Sequence, residues 1–324
     1  MTHATDAARK MNEFGKHAIP FIFVIDFEML EPVVVPEQEA LAAGIRYSFR
    51  GFSNDRPGGK QARPFAFSGS PVAFDRYLAA FDQAMHHILN GDSYLVNLTF
   101  PTPVSTSLTL EEIYRFSKAP YSLLMDDRFV VFSPEPFVRI SEGRISSFPM
   151  KGTIDASIPD AEKQVLEDPK EQAEHNTIVD LIRNDLSLVA NHVQVKRFRY
   201  IDRVYTHLRE LLQVSSEITG VLDPGYPAVI GDLIFSMLPA GSVSGAPKKR
   251  TVEIIRVAEM DRRGFYTGVM GRFDGRTLDS GVMIRFIEKT PSGVLFRSGG
   301  GITFMSQAES EYREMIDKVY VPFS

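Results

Sequence analysis

The chain has no cysteine. That absence excludes disulfides, thiolate metal sites and a thiol nucleophile within these 324 residues, and it fits a cytoplasmic protein. No apolar run approaches the ~20 residues that cross a bilayer, so no membrane partner is expected. Residues 1–16 lack the apolar stretch of a secretory signal and read as a frayed end. Positive charge is not in excess: 36 Lys and Arg face 41 Asp and Glu, for a net charge of −5. A mildly acidic balance argues against nucleic acid as the main partner. Internal repeats, low-complexity stretches and clean linkers are also missing. What is present is 44% hydrophobic and 24% charged residues, the composition of a soluble globular protein long enough to bury a sizeable core.

The chemistry gathers first around Phe148-Pro149-Met150-Lys151-Gly152-Thr153, just after a strand expected over 143–148. Lysine in so apolar a setting is uncommon unless it is paired or used. Burial lowers a lysine's pKa and frees the amine as a nucleophile; the competing reading is a surface lysine at a strand end. Upstream, 19–26 and 44–52 read as strands. Residues 71–90 read as a helix, with Phe74, Leu78, Phe81, Met85 and Ile88 at helical spacing. Further strands are expected at 93–103, 121–125, 129–133 and 137–141. Glu135 sits in a Ser133-Pro134-Glu135-Pro136 turn, its backbone nearly fixed between two prolines. Turns are usually exposed, so a solvated acid is the alternative there.

The helix that begins after Asp168 is the most informative. Asp168 suits the N-cap, Pro169 the first turn and Glu171 the third position. Ile178, Leu181, Ile182 and Val189 make its buried stripe, and Glu171 and Glu174 fall in line with them. Two carboxylates on a core face need a counter-charge, which a hard cation such as Mg²⁺ supplies. A capping box accounts for Glu171 equally well; Glu174 has no cap role and is the better ligand candidate. Asp180, Arg183 and Asp185 read as structural ion pairs. A charged strand follows at 193–205. The lone His207 beyond it reads as structural.

Residues 238–250 form a Gly/Ser loop that runs into a helix near Pro247. Its free N–H groups suit an anion, although the spacing is not that of a Walker A loop. Strands at 264–273 and 278–289 pair around Asp274-Gly275. Arg285, inside the second, is either a bidentate carboxylate contact or an outward residue on an alternate pleat. Gly299-Gly300-Gly301, after a strand at 294–298, let a ligand approach closely or form an anion-binding nest. In the last helix, 307–320, Tyr312, Met315, Ile316 and Val319 form the apolar stripe. By spacing alone Glu311 and Glu314 are solvated, with a Glu314–Lys318 ion pair. Interspersed helices and strands favour an α+β fold with large, mostly antiparallel sheets packed with surrounding helices. Residues 1–70 would supply N-terminal strands and 71–324 the catalytic region, as one compact unit.

Five stretches in order resemble the chorismate-utilising enzymes. They are the Lys151 hexapeptide; Glu174-His175 with Val179-Asp180-Leu181-Ile182-Arg183-Asn184-Asp185; Pro239 to Pro247; Gly299-Gly300-Gly301-Ile302; and Ser306 to Lys318 with its spaced glutamates. The match runs from about Phe74 to the C-terminus. Within that family, anthranilate synthase component I typically has alanine where this chain has Lys151, and lysine there resembles the aminodeoxychorismate synthases. The resemblance implies that the lysine amine attacks ring carbon 2 of chorismate, and that ammonia then displaces the lysine at carbon 4. It also implies Mg²⁺ held by Glu174 and Glu314 with Glu171 and Glu311 beside them, in place of the solvated reading of the last helix. Tyr266, Arg285, Lys318 and the Gly299, Gly300 and Gly301 backbone carry over as contacts to chorismate. Ser242 and His207 match positions near the departing hydroxyl, and Glu135 is the candidate general acid or base. The N-terminal part that forms a tryptophan site in larger relatives is short here, so no tryptophan regulation is expected. Met150 stands where isoleucine is common, a modest apolar swap. With no cysteine to release nitrogen from glutamine, the resemblance implies a separate glutamine amidotransferase subunit.

Overall fold

The computed structural model describes residues 3–55, 64–205 and 210–322. Among them, two nine-stranded sheets lie face to face, and every paired ladder is antiparallel. The first sheet runs in the order Met150–Asp155, Glu210–Val221, Arg144–Ser147, Pro136–Ser141, Leu278–Val282, Val269–Phe273, Phe21–Ile25, Val33–Pro36, with Asn191–Tyr205 also on Glu210–Val221. The second runs Gly245–Ala246, Leu95–Thr106, Gly293–Ile302, Phe286–Thr290, Phe129–Ser133, Tyr121–Met125, Ile45–Phe49, Phe52–Ser53, with Phe67–Gly69 on Leu95–Thr106.

The inner strands are apolar without alternation because both of their faces are covered. In Phe21–Ile25, Phe21, Phe23 and Ile25 pack outward under helices, whereas Ile22 and Val24 join the core between the sheets. Phe129 and Val131 likewise point to the inter-sheet core, and Val130 and Phe132 to the outer layer. Helices Phe74–Leu89, Lys248–Glu259 and Ala308–Asp317 share a core with Val96, Leu98, Phe100 and Ile302 of the second sheet. Helix Pro169–Ser187 packs Ile178, Val179, Ile182 and Leu186 against the first.

Several local expectations give way to tertiary context. Residues 3–16 are a helix rather than a frayed end, and Met11 is fully buried against the segment that contains Ile230 and Ile234. The strand expected to stop at its prolines continues to Thr106, with Pro101 opposite Arg297 and Pro103 opposite Leu295. The strand expected over 278–289 is broken: Leu278–Val282 belongs to the first sheet and Phe286–Thr290 to the second. Residues 1–70 place strands inside both sheets, so no structural boundary falls at 70. The most apolar window, Tyr226–Val243, is not one helix: short 3-10 turns flank a seven-residue helix, Ile230–Ser236.

Met11→Ala tests the docked N-terminal helix. It is expected to lower stability by about 2–4 kcal/mol in urea or thermal unfolding. A frayed end would give a change within about 0.5 kcal/mol.

Candidate active site

Two of the places where the chain passes between the sheets are neighbouring bends. One is Ser133 to Pro136, between Phe129–Ser133 and Pro136–Ser141; the other is Val282 to Phe286. The bends are laced together: Val282 N–H donates to the Glu135 carbonyl at 3.0 Å, and Phe132 N–H donates to the Arg285 carbonyl at 3.1 Å. Glu135 and Arg285 are therefore carried to the same seam. Arg285 is in the left-handed region, φ 53°, a conformation that a non-glycine residue holds only where its surroundings enforce it.

Lys151 reaches the seam from the first sheet. It lies inside strand Met150–Asp155, not in a turn after a strand as expected. The register against Glu210–Val221 slips between Met150 and Thr153. That bulge aims the lysine out of the ladder, and Gly152 absorbs it with φ +83°. The amine lies 3.3 Å from Glu174 Oε2. From the second sheet, Gly301 faces it closely enough that a Cβ there would be 3.4 Å from Lys151 Nζ.

Two helices bring the acids. Glu174 and Glu311 are 5% and 3% exposed, so the solvated reading of Glu311 is overturned. Lys170 donates to Glu311 Oε1 at 2.8 Å and lies 3.9 Å from Glu174 Oε1. Glu314 pairs with Lys318 at 2.7 Å, as the helical spacing indicates, and Lys318 also donates to the Gly299 carbonyl at 2.8 Å. Glu171 makes only half of a capping box: its N–H donates to Asp168, and its carboxylate lies instead beside Gly152 and the cluster. Four carboxylates against Lys151, Lys170 and Lys318 leave one net negative charge.

These charges set one another's protonation. Burial alone would depress the Lys151 amine, but Glu174, Glu314 and Glu171 outweigh it and hold the amine above its ordinary value. The depressed lysine expected from an apolar setting is thus not what the assembled site produces. Burial pushes Glu135 up, against the pull of a hydrogen bond from Ser242 and the charges of Lys151, Arg285 and Lys318. Glu171 is raised by burial and by Glu174. Burial works against Glu314, yet Lys318, Lys151 and Lys170 hold it below the usual range. Burial, together with Lys151 and Arg285, lowers Lys318 despite Glu314.

The remaining candidates separate. Ser242 joins the seam by donating to Glu135. Among the described residues Arg285 has no carboxylate partner, and its guanidinium lies 5.4 Å from the Tyr320 ring centre. Tyr266 is buried against Phe286, with its phenol pushed up to about 12 by burial. The three glycines form no nest: they continue strand Gly293–Ile302 in regular pairing with Asn97, Leu98 and Thr99. Gly300 faces Glu311 and Lys318, whereas Gly299 lies against the Leu98 carbonyl and is needed for packing. In the loop at 238–250, Lys248 pairs with Asp185 at 2.7 Å. Arg183 and Asp180 do form an ion pair, at 3.0 Å. His207 lies outside the described residues.

Sequence reasoning missed Lys170 and His175. Lys170 was visible as the i,i+4 partner of Glu174. His175 Nε2 is 2.7 Å from Ser216 Oγ, and Ser216 N–H donates to the Pro149 carbonyl at 3.0 Å. This link ties the Glu174 helix to the Lys151 strand. Burial lowers the His175 pKa to about 4.

Residues 37–323 match the family model described as chorismate binding enzyme. The chain belongs to that family. It is 49% identical over 315 residues to an uncharacterized PabA-like protein of Haemophilus influenzae, with 96% of this chain and 94% of that protein covered. It is 32% identical over 266 residues to aminodeoxychorismate synthase component 1 of Bacillus subtilis, covering 78% of this chain and 55% of the relative. A solved anthranilate synthase component I from Streptococcus pneumoniae superposes with a TM-score of 0.65 at 25% identity, over 80% of this chain and 60% of that one. The chain thus spans little more than half the length of these two named synthases.

Ser242→Ala removes a donor to the ionised Glu135 carboxylate. The Glu135 titration, followed by carboxyl NMR, is expected to move further up in this variant. An unchanged or lowered titration would show that Ser242 does not stabilise the charged form.

Proposed function

We propose that this chain converts chorismate and ammonia to 4-amino-4-deoxychorismate through a covalent bond to Lys151. The observation that carries the reading is the Lys151 amine at the sheet seam, 3.3 Å from Glu174 and facing the bare backbone of Gly301. Support for this branch comes from the lysine itself, since the resemblance to anthranilate synthases would put alanine there.

The chemistry follows from the groups present. Lys151 passes its proton to the Glu174 carboxylate, 3.3 Å away, and attacks ring carbon 2; the ring double bond shifts and the carbon 4–oxygen bond breaks. Glu135, pushed toward its protonated form by burial, would give the leaving hydroxyl a proton, so that it departs as water. Ammonia then attacks carbon 4, the double bond shifts back, and the carbon 2–nitrogen bond to Lys151 breaks. Arg285, with no carboxylate partner among the described residues, is suited to a substrate carboxylate. Tyr266, Lys318 and the Gly300–Gly301 backbone complete the proposed binding surface, with Ser242 near the departing hydroxyl; for His207 only the resemblance suggests a role there.

A divalent cation fits the acidic cluster. Among the described residues no three His, Cys, Asp or Glu side chains form a ready cage. Mg²⁺ needs only one or two carboxylates, with water and substrate oxygens completing its shell. Glu174 and Glu314 would hold it, with Glu171 and Glu311 alongside. Bound there, it would screen a substrate carboxylate and take up negative charge that holds the Lys151 proton.

A chain with no cysteine cannot free ammonia from glutamine by a thiol route, so we assign that step to a separate glutamine amidotransferase subunit. The cytoplasm suits such a pairing.

The test is incubation of the purified protein with chorismate, Mg²⁺ and ammonium, beside Lys151→Ala. Wild type is expected to form aminodeoxychorismate, identified by mass, and the variant to lose at least about 10²-fold in rate. With ammonia withheld, wild type should gain the mass of one chorismate less one water on the peptide carrying Lys151. Anthranilate, isochorismate or salicylate as product would place the protein in another branch.

A further inference from the structure

Lys170 stands out because its i,i+4 relation to Glu174 accounts for only one of its two acidic partners. It occupies the first turn of helix Pro169–Ser187, where the helix dipole disfavours a cation. Its ammonium nonetheless sits between two buried carboxylates on different helices. It donates to Glu311 Oε1 at 2.8 Å and lies 3.9 Å from Glu174 Oε1. Glu174 is thereby shared, with Oε1 toward Lys170 and Oε2 toward Lys151 at 3.3 Å. The Glu311 side chain is 2% exposed and that of Lys170 28%. The acid is locked in, while the lysine keeps an edge to solvent on a flexible stem.

We propose that Lys170 is a tethered competitor of the divalent cation: it neutralises Glu311 and Glu174 while the metal is away and swings toward solvent when the metal binds. The inference rests on the reading of these carboxylates as cation ligands. Two buried carboxylates without a counter-charge are costly, so a site that loads and unloads a cation needs a substitute. Lys170 supplies one without leaving the chain. It also weakens cation affinity, because a cation and an ammonium cannot share Glu311 and Glu174. Lys151 is a poor substitute, since its amine is needed for the substrate.

Cation binding without chorismate tests this apart from the reaction. Mn²⁺ titrated by electron paramagnetic resonance is expected to bind Lys170→Met roughly tenfold tighter than wild type, as one fewer positive charge faces the ion. The variant should melt lower than wild type without metal and gain more from added Mg²⁺. In wild type, amine-reactive labelling of Lys170, read by peptide mass, should rise when Mg²⁺ is added. This second measurement decides the matter if Lys170→Met does not fold. Equal or weaker Mn²⁺ affinity in a folded variant, or Mg²⁺-independent labelling, overturns the proposal. So does failure of both proteins to bind a cation, which would leave the Lys151 chemistry to be judged by its product.

Discussion

The site depends on mutual neutralisation. Glu174 and Glu311 are almost fully buried, come from helices far apart in sequence, and would repel one another across the seam. Lys170, on helix Pro169–Ser187, bridges the two; Lys151, on a strand, pairs with Glu174, and Lys318, just past the last helix, pairs with Glu314 beside them. Removing one partner of a buried pair leaves an uncompensated charge, at a cost of several kcal/mol. The cluster is therefore a constraint on how the last helix packs as much as a set of candidate ligands. The same fields hold the Lys151 amine above its ordinary value, so a nucleophile here must be released by a change in the charge around it.

The two sheets supply the frame for this balance. Strands buried on both faces leave little freedom in how the sheets stack. The chain can change sheets only where pairing is interrupted, and two of its crossings lie side by side, at Glu135 and Arg285. A carboxyl that burial raises and a guanidinium lacking a carboxylate partner among the described residues meet at those interruptions. The bulge at Lys151 is a third interruption, in the neighbouring strand region of the first sheet. Irregular backbone and chemistry coincide because residues released from a ladder can aim a side chain into the gap between sheets.

Much of this was legible in the residues. The α+β class, the antiparallel sheets and the helix with Glu171 and Glu174 on its apolar line follow from periodicity and capping. The family followed from five ordered motifs, and the match over residues 37–323 agrees. Less legible was anything that depended on which sheet a strand joins. The break at Arg285 was hidden because both halves of 278–289 are apolar and β-forming; which sheet takes each half is a pairing decision. The burial of Glu311 was hidden because its spacing suits a solvated face, and only packing against Lys170 reverses that. The N-terminal helix was missed because its short apolar stripe gains stability only from docking.

By itself the sequence determined the kinds of groups available: a lysine between Met150 and Gly152, four spaced glutamates, an arginine among apolar neighbours, and no thiol. Local physics of caps, turns and hydrophobic period was enough to place most of them on elements. The tertiary structure alone decided which groups meet and in what charge state. Lys151 and Gly301 lie 150 residues apart, as their numbers show, and touch only because the two sheets stack. A pKa depends on every charge that folding gathers around a group; no run of neighbouring residues contains that information.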